Sequence, residues 1–291
     1  MVKVNLLETK VAFQTLFDLL GIGWPTEAAT YYVSYTTAFP NIKTFARLHR
    51  EARKSVQSIT AAPLRRGRDQ LLTYGFMAKV LFPYEAKDYF GTEGYIPADP
   101  LVVWEEGEEK LKKEFSPDMF QSMRMCAEQL SHTYNENFGE YGIGIEEGKL
   151  TLYYSGMWVA FLTLNLCRKK PRNVSLWISG FRSFSDPLLR HYRNMMRAGP
   201  YVRMVVDGRI DPEPVRKLEE ECEGRWETKI SPVGTTRRMA LVDDVLAIDG
   251  VRILPLKTAM PAYIGTVYLE KDSIATLKDN FDGRWGMAKQ L

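Results

Sequence analysis

From Leu150 to Cys167 the chain reads LTLYYSGMWVAFLTLNLC, eighteen residues without a charge, and RKK follows. Such a stretch has two physical solutions: a spanning helix with a basic flank, or a segment buried in a protein core. The residues favour the second. KLTLYYSG alternates and is rich in β-formers, Ser155 and Gly156 interrupt it, and MWVAFLTLNLCRKK has the length of a buried helix. A strand and then a helix inside a core is expected, with no membrane as partner.

The same texture continues to the C-terminus. Strand candidates KLTLYYS, NVSLWISGF, YVRMVVDG, RMALVDD, VLAID and GTVYLE alternate with helix candidates at Met157 to Lys169, Asp186 to Arg197, Glu213 to Glu223 and Ser273 to Trp285. Apolar strands separated by helices predict a layered α/β unit with helices on the sheet's faces. No GxGxxG, GxxxxGK[ST] or GxSxG opens any of these helices, so neither a nucleotide-binding nor a serine-hydrolase motif is present.

The first hundred residues differ. Val11, Leu16, Phe17 and Leu20 recur at helical spacing, LGIGWP reads as a turn, and Pro25 suits the first position of a second helix, PTEAATYYVSYTTAF. A short amphipathic helix follows around IKTFARLHRE. A helix is expected over Ala62 to Gly75, then a strand FMAKVLF and a returning strand in PYEAKDYFGTEGYIP. Helices followed by a basic helix and a hairpin predict a winged helix-turn-helix.

Charge is concentrated in this region. The whole chain is nearly balanced, 39 basic against 36 acidic side chains, which excludes reading it all as a polyanion binder. Between Asn41 and Lys79, however, Lys43, Arg47, Arg50, Arg53, Lys54, Arg65, Arg66, Arg68 and Lys79 face only Glu51 and Asp69. Such a run is either a solvated surface or a footprint for a phosphate backbone. At about 100° per residue, Leu64, Leu71, Leu72 and Gly75 share one face of the expected helix, and Arg65, Arg66, Asp69, Gln70 and Thr73 share the other. That outer face carries side chains able to reach guanine and adenine edges in a major groove. Arg68 falls on the apolar face, where only a snorkelling stem accommodates it. A competing register places the recognition helix over Arg53 to Ala62, RKSVQSITAA. The expected DNA contacts are Arg65, Arg66, Gln70, Thr73, Arg53, Lys54 and Lys79.

From about Leu101 to Phe138 the pattern is helical, with Met119, Met123, Cys126, Leu130 and Tyr134 forming a narrow seam. It suits pairing with another helix in a dimer, or packing on the chain's own second domain. Cys126, Cys167 and Cys222 are far apart and form no CxxC, and only His49, His132 and His191 could join them as ligands. No metal, no cofactor and no disulfide framework is expected, and a cytoplasmic setting fits; the N-terminus lacks the order of a signal peptide.

Taken in order, several segments resemble the TrmB family of archaeal sugar-responsive transcription regulators. LLGIGWPTEAATYY carries Leu20, Gly21, Glu27, Ala28 and Tyr31 where that family's first helices have them. ITAAPLRRGRDQLLTYGFM is similar to its recognition helix through Ile59, Leu64, Leu71, Gly75 and Phe76, with Arg68 in place of an aliphatic residue. GYIPADPLVVWEE resembles the step from wing to linker helix, and NFDGRW the terminal segment.

The C-terminal half of that family is similar to the phospholipase D fold, whose signature is HxKxxxxD with a glycine seven positions later. Here Thr236, Arg238, Asp243 and Gly250 occupy those places. The histidine that would attack phosphorus is a threonine, with a far higher pKa and no base in similar spacing, so no catalytic residue and no enzyme activity are expected. Thr236, Arg238 and Asp243, with Ser179 and Arg182 in WISGFRS, are the candidates for holding an effector. The alternative is that they are ordinary strand and turn residues.

The expected architecture is α+β: a winged helix-turn-helix over residues 1–100, a helical linker and dimerisation segment over 101–140, and an α/β phospholipase D-like sensor over 141–291. The resemblance implies double-stranded DNA, a second copy of the chain and a small effector such as a sugar or metabolite as partners. Two other classes stay open: a divergent phosphodiesterase, and an interaction module that binds something other than DNA.

Overall fold

The computed structural model describes residues 4–41, 44–56, 58–82, 90, 94–170, 172–178, 186–207, 211–232, 237–253 and 262–290. The chain divides into two compact units, Met1–Glu146 and Glu147–Leu291. Both helices and strands are plentiful, an α+β composition.

The first unit begins with helices α1 (Leu6–Leu19) and α2 (Pro25–Ala38). Asn5 caps α1 by accepting from the Glu8 amide, and Pro25 starts α2, whose own missing amide costs nothing there. Phe13, Leu16 and Phe17 are fully buried, the two phenylalanines against Tyr32 of α2, whereas Val11 is 54% exposed and leaves the expected apolar stripe. Helix α3 (Phe45–Ser55) is capped by the Thr44 hydroxyl, and α4 (Ala61–Tyr74) ends on Gly75 in the left-handed region, where a side chain would be strained.

Helix α3 ends at Ser55 and α4 begins at Ala61, and Val56 and Ser58 to Thr60 are not helical, so the competing helix over Arg53 to Ala62 is not the one observed. The apolar face of α4 is the expected one, with Leu64 and Leu71 buried. Gly67 lies between them at the closest approach to α2: a Cβ there would sit 2.5 Å from the Ala28 amide nitrogen. Strands β1 (Met77–Phe82) and β2 (Gly94–Pro97) then pair antiparallel, Met77 opposite Pro97.

Helices α5 (Pro100–Glu105), α6 (Glu108–Glu114) and α7 (Pro117–Phe138) complete the unit. The seam on α7 is covered within this unit by α1, α2 and α5. Met123, Cys126, Leu130 and Tyr134 are buried, and Met119 alone of the five is exposed. The stripe expected to pair with a second chain, or with the second domain, is thus occupied by the unit's own helices. Asp99, itself buried, receives the Ser131 hydroxyl at 2.8 Å and ties α7 to the start of α5.

The second unit opens with β3 (Lys149–Ser155) and α8 (Gly156–Lys169). These are the strand and buried helix expected from the uncharged run, and no helix among the described residues is long and apolar enough to cross a membrane. There follow β4 (Asn173–Ile178), α9 (Asp186–Arg197), β5 (Tyr201–Asp207), α10 (Glu213–Glu221), β6 (Trp226–Ser231), β7 (Arg237–Val242), β8 (Leu246–Ile253), β9 (Ala262–Tyr268), α11 (Lys271–Met287) and β10 (Lys289–Gln290). Within this unit the strand order is β10-β6-β5-β4-β7-β8-β9-β3. Strands β4, β5 and β6 run parallel, and the remaining pairs are antiparallel.

Strand β6, WETKIS, was not expected from the sequence. Trp226, Thr228 and Ile230 alternate with Glu227 and Lys229, but only two of the six residues are apolar, so the alternation is a weak signal; the strand pairs through its backbone with β5 and β10. Alternation along β7 sorts its side chains: Met239 and Leu241 join Trp177 and Val205 in a core closed by Ile274, Leu277 and Phe281 of α11. Arg238 points to the opposite side of the sheet, where its guanidinium meets the start of α8.

Candidate nucleic-acid interface and buried arginine

In the first unit, α3 and α4 present the basic residues. Arg47, Arg50, Arg53 and Lys54 of α3 are exposed, as are Arg65 and Arg66 of α4 and Lys79 of β1. Lys43 lies outside the described residues. Two of these cations rest on aromatic rings: the Arg65 guanidinium is 4.6 Å from the Phe45 ring centroid, and that of Arg66 is 4.9 Å from the centroid of Trp24. Neither forms an ion pair among the described residues. Stacking orders a guanidinium at small cost in solvation and leaves its edge donors directed outward.

Other candidates on α4 are engaged differently. Gln70 is half-buried, its side chain 3.6 Å from where a Cβ on Gly23 would lie, and Thr73 donates to the Asp69 carbonyl at 3.0 Å. The outer face of α4 therefore consists chiefly of its two stacked arginines. Lys54 is held by Glu51 at 2.7 Å. Arg68, which had no clear place in the helical pattern, bonds to Asp69 at 2.7 and 2.9 Å and lies over Tyr95. Burial works against its charge, yet Tyr95 and Asp69 hold its pKa above the ordinary arginine value.

Trp24 also carries an unusual backbone. It caps α2 with φ of 60°, the left-handed region that a bulky residue rarely adopts, and its side chain is 41% exposed. The sequence places it in the LGIGWP turn, a position with no local signal for a role. Its position against Arg66 depends on how α2 crosses α4, which no local pattern encodes.

In the second unit, Thr236, Ser179 and Arg182 lie outside the described residues, so the candidate effector set reduces to Arg238 and Asp243. These two do not converge. They lie five residues apart along β7 and just past its end, roughly 16 Å at the usual rise of a strand. Asp243 occupies the turn between β7 and β8 with φ of 47°. Its carboxylate accepts the Asn173 backbone amide at 2.8 Å and the Asn173 side chain at 3.1 Å, and lies 3.7 Å from Arg172. Its contacts are those of a turn that ties β4 to β7.

Arg238 is 4% exposed and donates to the Gly156 carbonyl at 3.1 Å. The guanidinium lies 5.3 Å from the Tyr263 ring centroid of β9, and Tyr154 of β3 and Tyr192 of α9 are near enough to act on its charge. Burial opposes its charge, but Tyr263, Tyr192 and Tyr154 hold its pKa above the ordinary arginine value. Burial likewise pushes Tyr192 up to about 12, with Arg238 pulling the other way. Among the described residues no carboxylate pairs with this buried guanidinium, which is the environment an anionic group would complete.

Gly250, the glycine of the spaced signature, stands opposite Arg238 across the β7–β8 pair and opposite Gly265 of β9. A Cβ at Gly250 would collide with the Tyr154 hydroxyl. The glycine is therefore explained by the tyrosine packed over it. His191, one of the chain's few histidines, is fully buried and bonds through Nε2 to the Ala160 carbonyl at 2.7 Å, an anchor between α9 and α8. Cys126, Cys167 and Cys222 are buried and unbridged, and burial raises the Cys167 thiol to about 12, far from reactive thiolate chemistry.

No family model and no curated protein matches the chain. Among solved structures, it is similar to TrmBL2, described as an archaeal chromatin protein with a novel mode of DNA binding. The identity is 16%, the overlap covers 95% of this chain and 99% of that one, and the TM-score is 0.39. It is also similar to Nuc, a phospholipase D family member from Salmonella typhimurium, at 11% identity over 50% of this chain and 97% of that one, with a TM-score of 0.37. NucT from Helicobacter pylori overlaps 50% of this chain and 100% of its own at 10% identity and a TM-score of 0.36. Overlaps at this level assign neither a family nor an activity to the chain.

Proposed function

We propose that this protein is a DNA-binding transcription regulator whose first unit is a winged helix-turn-helix and whose second is a phospholipase D-like sensor without catalysis. The observation that carries this reading is the pair Arg65 and Arg66, exposed on one helix, free of acidic partners among the described residues and each stacked on an aromatic ring. In this reading α4 enters the major groove with those two arginines, while Arg53, Lys54 and Lys79 contact phosphates.

The second unit supplies the effector site. Arg238 receives an anionic group of a small metabolite within its ring of tyrosines, and Thr236 in place of a histidine leaves no nucleophile for phosphodiester chemistry. Two chains act together, and an effector that binds one arrangement of the pair better than the other shifts operator affinity by linkage.

Electrophoretic mobility shift with the protein's own upstream DNA tests the central claim. Specific retention that survives competitor duplex is expected, with Arg65→Ala and Arg66→Ala each weakening it by about 1–3 kcal/mol. Salt-sensitive binding that is equal on random duplex would reduce the basic face to a nonspecific surface, and no binding would overturn the reading. For the second unit, phosphate is expected to raise the thermal midpoint of the wild type and not that of Arg238→Met.

A further inference from the structure

The second unit carries a cleft of about 460 Å³ where the start of β5, the end of β7 and α11 come together. That volume falls in the range of small-molecule sites. Buried Leu241 and the ring of Tyr201, which is 40% exposed, give the cleft apolar surface, and Ser175, only 7% exposed, gives it a hydroxyl. Leu241 shares its face of β7 with Met239 under α11, so the cleft lies on the side of the sheet opposite to Arg238.

The charges lining the cleft fall into two groups. Arg203 and Asp243 are anchored. The Arg203 guanidinium donates to the Ser175 hydroxyl at 3.3 Å, lies 2.9 Å from Asp282, and sits 5.1 and 5.6 Å from the ring centroids of Phe281 and Trp285. The Asp243 carboxylate is taken by Asn173. Lys278 of α11 and Asp244 of the β7–β8 turn are exposed, and among the described residues neither forms a hydrogen bond or an ion pair, with the other or with any third group. Two opposite charges thus face one cleft without meeting across it. A simple anion placed there would be repelled by Asp244, and a simple cation by Lys278. A molecule that carries both charges and an apolar body satisfies both walls.

We propose that this cleft binds a zwitterionic α-amino acid with an apolar side chain. Its carboxylate lies on Lys278, beside the fixed guanidinium of Arg203, its ammonium lies on Asp244, and its side chain rests on Leu241 and the Tyr201 ring. The site is separate from Arg238 and from the stacked arginines of α4, and its occupancy is measurable without DNA.

Isothermal titration calorimetry on the full chain tests it, with L-phenylalanine and L-leucine as probes. The N-acetyl derivative of each keeps only the negative charge, and the amide of each keeps only the positive one. The expected result is saturable binding of at least one amino acid at one site, about tenfold or more tighter than either of its derivatives. Asp244→Asn should remove the advantage over the N-acetyl derivative, and Lys278→Met the advantage over the amide. Both positions are exposed, and circular dichroism melts confirm that each variant is folded. Absence of saturable binding by both amino acids, a derivative that binds as tightly as its parent, or wild-type affinity in either variant overturns the proposal.

Discussion

The guanidinium of Arg66 lies over the indole of Trp24, 4.9 Å from the ring centroid, so a residue of the α1–α2 turn fixes the direction of a cation on α4. Phe45 does the same for Arg65 from the first turn of α3. Both cations are thereby ordered by elements other than their own helix.

Ordering of this kind is expected to be measurable in DNA affinity. Trp24→Ala should weaken binding by roughly 0.5–1 kcal/mol through Arg66, and the effect should vanish in an Arg66→Ala background. Trp24→Phe, which keeps a π face, should restore most of the loss. A double-mutant cycle read by fluorescence anisotropy checks this; additive effects would show that Trp24 acts independently of Arg66.

Gly67 sets how closely α4 approaches α2. Alanine would gain about 1 kcal/mol of helix propensity, but its Cβ would press on backbone atoms of Glu27 and Ala28 at 2.5 to 3.0 Å, which cannot swing aside. Displacing a packed helix costs about 1–3 kcal/mol or more, so Gly67→Ala should lower the urea midpoint. An unchanged or higher midpoint would mean that the helix pair yields.

Asp243 is expected to matter for stability and not for ligand binding. Asp243→Ala loses the bonds to Asn173 and places alanine at φ of 47°, a combined cost of about 1–3 kcal/mol. Asp243→Asn, which tolerates that backbone, should recover part of it. Phosphate should still raise the melting midpoint of both variants, as is expected for the wild type; loss of that shift in the variants alone would return Asp243 to the binding site.

Lys10 carries a pH signature. It titrates near 10.5 in the unfolded chain and at about 8 when folded, so the unfolded state holds the extra proton between those values. Its contribution to stability is thus unfavourable below pH 8 and relieved as the pH rises from about 8 to about 10.5. Lys10→Met should be more stable than wild type at pH 7 by roughly 1–3 kcal/mol, with the gap closing towards pH 10.5. Denaturant melts at the two pH values check the sign.

The elements themselves were largely legible before the fold was known. The uncharged run from Leu150 to Cys167 fixed a strand and a buried helix, because alternation ends at Ser155 and helical length follows it. Gly75 and Pro25 marked helix ends through backbone constraints intrinsic to those residues. Strand β6 is not legible in this way, because WETKIS has only two apolar residues to carry its alternation and is held in the sheet by its neighbours' backbones.

The sequence by itself determined the boundaries of most helices and strands, the concentration of positive charge around α3 and α4, and the spacing that singles out Arg238 and Gly250. These are local properties, carried by periodicity, turn chemistry and composition. Tertiary structure alone decided which of those residues meet. It set Arg65 and Arg66 on Phe45 and Trp24, turned Gln70 towards the α1–α2 turn, enclosed the α7 seam, and closed Tyr154, Tyr192 and Tyr263 around Arg238 while sending Asp243 to the far end of the strand. Contacts between residues distant in the chain depend on helix crossings and strand order, and no pattern read along one segment contains them.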